Sequence, residues 1–225
     1  MKILKRSLPV FVLLALLFCA FPSFGAAHTY EPYYITAYDV EIHVAEDNVL
    51  RVTENIDVHF NEARHGIYRY IPLRNQVERA DGSTAITRAK VNAIHCSDSY
   101  SKSTENSQLV LQIGDEDTTL TGDHHYTISY NYALGQDVVN GSDELYYNII
   151  GSGWDTYIDN VTFRIAMPKD FNADLLGFSA GSYGFGGTSS IEYYVNGLEI
   201  TGRLTRELGP YEAFTVRLEL PDGYF

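Results

Sequence analysis

Between Tyr38 and Phe60, outside one polar break at 46–48, apolar residues fall on nearly every even position: Tyr38, Val40, Ile42 and Val44, then Leu50, Val52, Ile56, Val58 and Phe60. A repeat of two places all of them on one face of an extended chain, which a helix of 3.6 residues per turn cannot do. The alternation returns in ITRAKVNAI, LVLQI, HYTISYNYA, ELYYNII, NVTFRIAM, IEYYV, LEITGRL and AFTVRLEL, and past the first 26 residues the sequence shows neither heptads nor a long amphipathic helix. Turn clusters such as RADGS, SDSYSKSTENS, GDEDTTLTGD and GSYGFGGTSS separate these runs, with no internal repeat among them. The pattern predicts an all-β fold, an antiparallel two-sheet β-sandwich of about ten strands. Asn196-Gly197, between IEYYV and LEITGRL, predicts a two-residue hairpin turn with positive φ at both central positions.

The apolar face also fixes the register of the first hairpin. A loop of Glu46, Asp47 and Asn48, with Asn48 in the left-handed conformation, pairs Val44 with Leu50 and Ile42 with Val52. Glu54 then lands on the apolar face opposite Val40. A buried, unpaired carboxylate costs several kcal/mol unless its pKa rises to neutralise it. Arg69 is the expected partner, because a planar guanidinium holds a carboxylate through two parallel hydrogen bonds. The alternative is a Glu54 solvated at a fraying sheet edge.

The chain opens with Lys2, Lys5 and Arg6, an apolar run from Leu8 to Ala20, then Pro22 and the small residues Ser23, Gly25, Ala26 and Ala27. This reads as a secretory signal peptide over residues 1–26, ahead of an extracytoplasmic domain over 27–225. The apolar run is shorter than the roughly 20 residues of a spanning helix. Cys19 is preceded by Phe18 rather than by a small residue, which argues against lipid attachment. Losing the leader removes three of 16 basic residues and none of 29 acidic ones, taking the net charge from −13 to −16. Nucleic acid is therefore not an expected partner. Cys96 is then the one remaining cysteine, so no internal disulfide is expected in an oxidising compartment.

Against this acidic background, residues 64–90 carry Arg64, Arg69, Arg74, Arg79, Arg88 and Lys90 with only Glu78 and Asp81. Gly66 frees the backbone to turn and Pro72 extends Ile71, which predicts a shaped loop or edge strand. With Arg69 assigned to Glu54, the surface patch expected to meet a partner is Arg64, His65, Tyr70 and Arg74. The bland alternative is that these arginines pair with acids elsewhere on the fold.

The run YDVEIHVAEDNVLRVTENIDVHFNEARHGIYRYIPLR, the later LYYNIIGSGWDTYIDNVTFRIAMP and the closing LGPYEAFTVRLELPDGYF together resemble the extracytoplasmic domain of a bacterial predicted membrane protein family, a domain of unknown function (DUF2207). The matching elements are Val52 to Glu54, His65 to Arg69 leading to Ile71-Pro72, and Trp154 followed by Ile158. The resemblance implies a signal peptide, an exported β domain, then transmembrane helices and a cytoplasmic tail, with no established catalytic residues. On that basis the protein is membrane-anchored if residues 1–225 are a fragment, through segments absent from this chain, and secreted otherwise.

Other motifs argue against chemistry. GFSAG, Gly177 to Gly181, matches the hydrolase nucleophile elbow, but the glycine-rich GSYGFGGTSS after it cannot supply the required helix, so Ser179 is not expected to be a nucleophile. His124 and His125 are adjacent and point to opposite faces of a strand; no metal site or cofactor is expected. Asp115, Glu116, Asp117 and Asp123 match no standard calcium loop. Cys96 beside His95 fails as a nucleophile and base for the same facing reason. Trp154 reads as a core plug. In the doublets Tyr33-Tyr34, Tyr146-Tyr147 and Tyr193-Tyr194, one ring should face inward and the other outward.

The sequence thus supports an exported, non-catalytic interaction module of an envelope protein, meeting an envelope protein or an anionic or polysaccharide polymer. The alternatives are a carbohydrate-active or other hydrolytic enzyme using paired carboxylates, and a structural spacer.

Overall fold

The computed structural model describes residues 28–78, 84–134, 142–182 and 187–225. The signal peptide expected over residues 1–26 lies outside them, as does Arg79. The chain is all-β, as its alternation requires. The strands in order are β1 (Tyr33–Val44), β2 (Val49–Arg64), β3 (Gly66–Pro72), β4 (Arg74–Glu78), β5 (Thr84–Arg88), β6 (Lys90–Cys96), β7 (Tyr100–Glu105), β8 (Gln108–Gly114), β9 (Leu120–Ala133), β10 (Ser142–Ile150), β11 (Val161–Ala166), β12 (Leu176–Gly181), β13 (Ile191–Asn196), β14 (Glu199–Leu204) and β15 (Ala213–Pro221). Helix among the described residues is limited to one 3₁₀ turn, Ala173–Leu175, and no helix there is long and apolar enough to cross a membrane.

Seven strands form one sheet in the order β13-β14-β11-β1-β2-β9-β6; β10-β15-β12 and β3-β8-β7 form two smaller sheets, and β4-β5 a hairpin. The first hairpin pairs Val40 with Glu54, Ile42 with Val52 and Val44 with Leu50, and Asn48 turns the chain at φ 57°. The even positions of β1, β2 and β9 bury Tyr38, Val40, Leu50, Val52, Ile56, Ile128, Tyr130 and Tyr132 on one face. Both small sheets meet that side of the large one. Phe178 of β12 and Phe214 of β15 close on Phe163 of β11 with ring centroids 5.0 and 5.1 Å away, and Tyr147 of β10 meets Tyr132 of β9 at 5.1 Å. From β3, Arg69 reaches Glu54 of β2.

The structure departs from the expected strand count, pairing and turns in four ways. There are fifteen strands in four hydrogen-bonded groups among the described residues, and β1 runs parallel to β11, from Tyr38–Val161 to His43–Ala166. The SKSTE stretch within the cluster read as a turn is β7, exposed along its whole length and paired to β8; with no apolar side to alternate, it carries no period-two signal. The hairpin turn at Asn196-Gly197 sits one residue later, because Asn196 still pairs with Glu199. Gly197, at φ 59°, is then the first of two turn residues, where a type II′ turn puts glycine.

A candidate binding cleft over a buried ion pair

Glu54 and Arg69 are 0% and 2% exposed. Arg69 Nε donates to Glu54 Oε2 at 2.8 Å and Nη2 donates to Oε1 at 2.7 Å, the two-pronged arrangement of a guanidinium on a carboxylate. Tyr38 donates to Oε2 at 2.8 Å and Tyr130 to Oε1 at 2.6 Å, while the Tyr147 hydroxyl lies 2.8 Å from that of Tyr130. Burial is the largest influence on Glu54 and raises its pKa, but the charge and hydrogen bonds of Arg69, with those of Tyr130 and Tyr38, outweigh it and hold the carboxyl below its ordinary value. Arg69 Nη1 donates to the Tyr70 carbonyl, tying the ion pair to the strand that carries it.

On β3 the inward residues Ile67, Arg69 and Ile71 alternate with the outward Tyr68 and Tyr70. Gly66 opens the strand at φ +136° and faces Gly114, at φ +131°, across the β3–β8 ladder. A Cβ at either position would fall on a carbonyl oxygen of the opposite strand, so only glycine fits. Next to this point lies a cleft of about 620 Å³, with Arg64, His65, Tyr68 and Tyr70 on one side and Ser152, Gly153, Asp155 and Tyr211 among its other lining residues. Gly153 lies so near that a Cβ there would be 2.8 Å from that of Tyr70, a close approach that again requires glycine.

The cleft combines aromatic surface with a few fixed charges. Tyr68 and Tyr70 are stacked at 6.3 Å, and Tyr68 and Tyr211 are 50% and 64% exposed. The Arg64 guanidinium lies 4.7 Å above the Tyr33 ring, and its Nε is buried without a hydrogen-bond partner among the described residues. Tyr33 donates to Asp155 Oδ1 at 2.5 Å. Burial, followed by that hydrogen bond and the Asp155 charge, holds the Tyr33 hydroxyl protonated well beyond the usual tyrosine range. Burial and then the neighbouring Tyr68 also raise Tyr70. His65 Nδ1 lies 3.0 Å from the Thr118 carbonyl.

Three of the four expected patch residues, Arg64, His65 and Tyr70, therefore share one cleft. Arg74 does not; it is exposed on β4, opposite Arg88. Lys90, the last residue of the basic segment, lines a different cavity together with Lys102. Sequence reading missed Tyr33, which the β1–β2 hairpin sets opposite Phe60, and Gly153, Asp155 and Tyr211, which are brought to the cleft by pairings 50 or more residues long in sequence and leave no local signal. Trp154 is buried in edge contact with Tyr38 at 5.8 Å. Ser179 sits exposed inside β12 rather than on an elbow. His124 and His125 engage Asp98 and Asp57 separately. Tyr193 and Tyr194 are both exposed, because β13 is an edge strand whose two faces are only partly covered.

Among solved structures, the fold is similar to an M1 zinc metallopeptidase from Deinococcus radiodurans, at 12% identity and a TM-score of 0.41, over 83% of this chain and 42% of that one. It is also similar to yeast LTA4 hydrolase in complex with bestatin, at 8% identity and a TM-score of 0.43, over 83% of this chain and 29% of that one. The chain thus spans less than half the length of either. No curated protein matches its sequence. Residues 34–220 match the family model described as the N-terminal domain of a predicted membrane protein (DUF2207), and with most of its length covered the chain belongs to that family.

Proposed function

We propose that the protein is an exported, non-catalytic interaction module of a membrane-anchored envelope protein, and that the cleft beside β3 binds an anionic polysaccharide. In this reading the two three-stranded sheets act together as the second layer of a β-sandwich, and the cleft opens where β3 meets the 151–155 loop. The observation that carries the proposal is the pairing of the stacked Tyr68 and Tyr70, the first exposed and the second half-buried, with an arginine whose Nε lacks a partner among the described residues. Tyrosine faces suit the apolar faces of sugar rings, and a guanidinium suits carboxylate groups along the polymer. Export and anchoring are supported by the leader-like N-terminus and by the family's description.

The test is binding of the purified chain to alginate, an acidic polysaccharide, against dextran, a neutral one, at low and high salt. Alginate should bind more tightly, and Arg64→Ala should weaken it about tenfold or more, the loss of one charge-assisted hydrogen bond. Equal binding of the two polymers, undiminished binding by Arg64→Ala, or binding of phosphatidylglycerol vesicles in place of alginate would overturn the reading. Glu116 and Asp155 line the same cleft, so a hydrolytic reading has one specific support. Release of reducing sugar that disappears in Glu116→Gln would replace the binding module with an enzyme.

A further inference from the structure

At the end of the fold formed by residues 28–35, three segments far apart in sequence are fastened together around Ile158. It forms a parallel bridge with Ile35 and an antiparallel bridge with Leu208, through Ile158 N–H to Leu208 O and Leu208 N–H to Ile158 O, both at 2.9 Å. That antiparallel bridge makes Asp159 and Glu207 the next pair across, two carboxylates directly opposite one another. Like charges in this position destabilise a sheet, and Asp159 is largely buried, its side chain only 10% exposed. A cation between them would offset that repulsion.

The group facing both carboxylates is the imidazole of His28. Its Nε2 lies 2.9 Å from Asp159 Oδ1 and 3.3 Å from Glu207 Oε2, and the three candidate ligand atoms all fall within 4.8 Å of one another. One ring nitrogen carries at most one hydrogen, so it cannot donate a full hydrogen bond to each carboxylate. The ring is held in place by stacking on Tyr157, 4.2 Å away with 10° between planes, and by edge contact with Tyr34 at 5.3 Å.

We propose that His28, Asp159 and Glu207 form a divalent transition-metal site, best suited to zinc. One imidazole nitrogen and two carboxylate oxygens are zinc donors, and ligand bonds of about 2.0–2.2 Å place such donors roughly 3 Å apart, the spacing seen around His28 Nε2. Glu207 is the exposed member at 42%, which leaves a side open for water. The metal would clamp the segment preceding β1 onto the loop that carries both Trp154 and Asp155, and so brace the far wall of the cleft. The expectation of no metal site drawn from sequence rested on histidine spacing; here the ligands come from three separate segments.

The purified chain, freed of metal with a chelator and dialysed, is titrated calorimetrically with zinc chloride, with magnesium and calcium as controls. One equivalent of zinc should bind and raise the thermal midpoint. His28→Ala and Asp159→Asn should each weaken binding by more than the roughly 10–100-fold that losing an outer-shell partner costs. Binding should fall on acidification, since the imidazole must be unprotonated to ligate. His28→Lys supplies a cation that cannot serve as this ligand. If it and the native chain respond to zinc alike, or if zinc gives neither heat nor a shift in midpoint, the cation is the protonated histidine and the proposal is wrong. Unchanged zinc affinity in Asp159→Asn would equally overturn it.

Discussion

Replacing Arg69 by methionine keeps much of the volume of a side chain that is 2% exposed but leaves Glu54 in the core without its cation. Breaking a buried pair from one side costs about 3–5 kcal/mol, since the remaining charge has lost its partner and kept its burial. For a domain of this size that corresponds to a fall in Tm of roughly 6–20 °C. The pH dependence should change sign as well. In the native chain the Glu54 pKa is lowered, so its contribution is present above the unfolded carboxylate pKa of about 4.3 and is lost as pH falls through the folded value. Without Arg69, burial prevails and the folded pKa rises. The contribution is then full below about 4.3 and is lost as pH climbs through the new folded value. Urea unfolding of both proteins between pH 4 and 8 measures this directly: the gap should be widest at high pH and narrow on acidification. The double variant Glu54→Leu with Arg69→Met should recover part of the loss, with a coupling of about 2 kcal/mol. A loss under about 1 kcal/mol in Arg69→Met, or a variant whose stability still falls on acidification as the native chain's does, would refute the reasoning.

Two further substitutions test how β3 is placed. Gly66→Ala should cost at least the roughly 1–3 kcal/mol of a forced left-handed residue, because its Cβ meets the Ile113 carbonyl; alginate affinity should fall with it, and a urea midpoint equal to the native one would exclude the clash. Tyr132→Phe removes a hydroxyl that donates to the Pro72 carbonyl and accepts from Asn75, both at 2.8 Å; the loss should be about 1–3 kcal/mol, and native stability would show that water replaces it.

The first hairpin was legible in the sequence because one of its faces is wholly buried. A strict period of two allows one register, and Glu54 stood out as the exception to it. Asn48 marked the turn by its tolerance of positive φ. The same logic fails for β7, whose two faces are both solvated, and for the parallel β1–β11 pair, which joins residues more than 100 positions apart. The candidate cleft was legible only on its local side. Arg64, His65 and Tyr70 lie in one run of sequence, whereas Asp155 and Tyr211 reach the cleft through the ladder around Ile158 and the bond from the Tyr211 amide to the Trp154 carbonyl. His28, Asp159 and Glu207 depend on the same ladder, and no spacing rule applies to ligands set by long-range pairing.

Scaffold and candidate site are the two faces of one strand. Arg69 points inward from β3 to a carboxylate fixed on β2, while Tyr68 and Tyr70 point outward into the cleft. A slip of one residue would turn the arginine to solvent and the tyrosines to the core, leaving Glu54 unpaired. An apolar pair in the same place could be equally stable, because desolvating two charges offsets most of their attraction. It would not discriminate among registers in the same way, since methionine and leucine pack acceptably against many neighbours. The directional bonds of Arg69 to both Glu54 oxygens and to the Tyr70 carbonyl are met in one arrangement, and that arrangement puts Tyr70 against Gly153. The ion pair therefore sets the position of the cleft wall as well as closing the core.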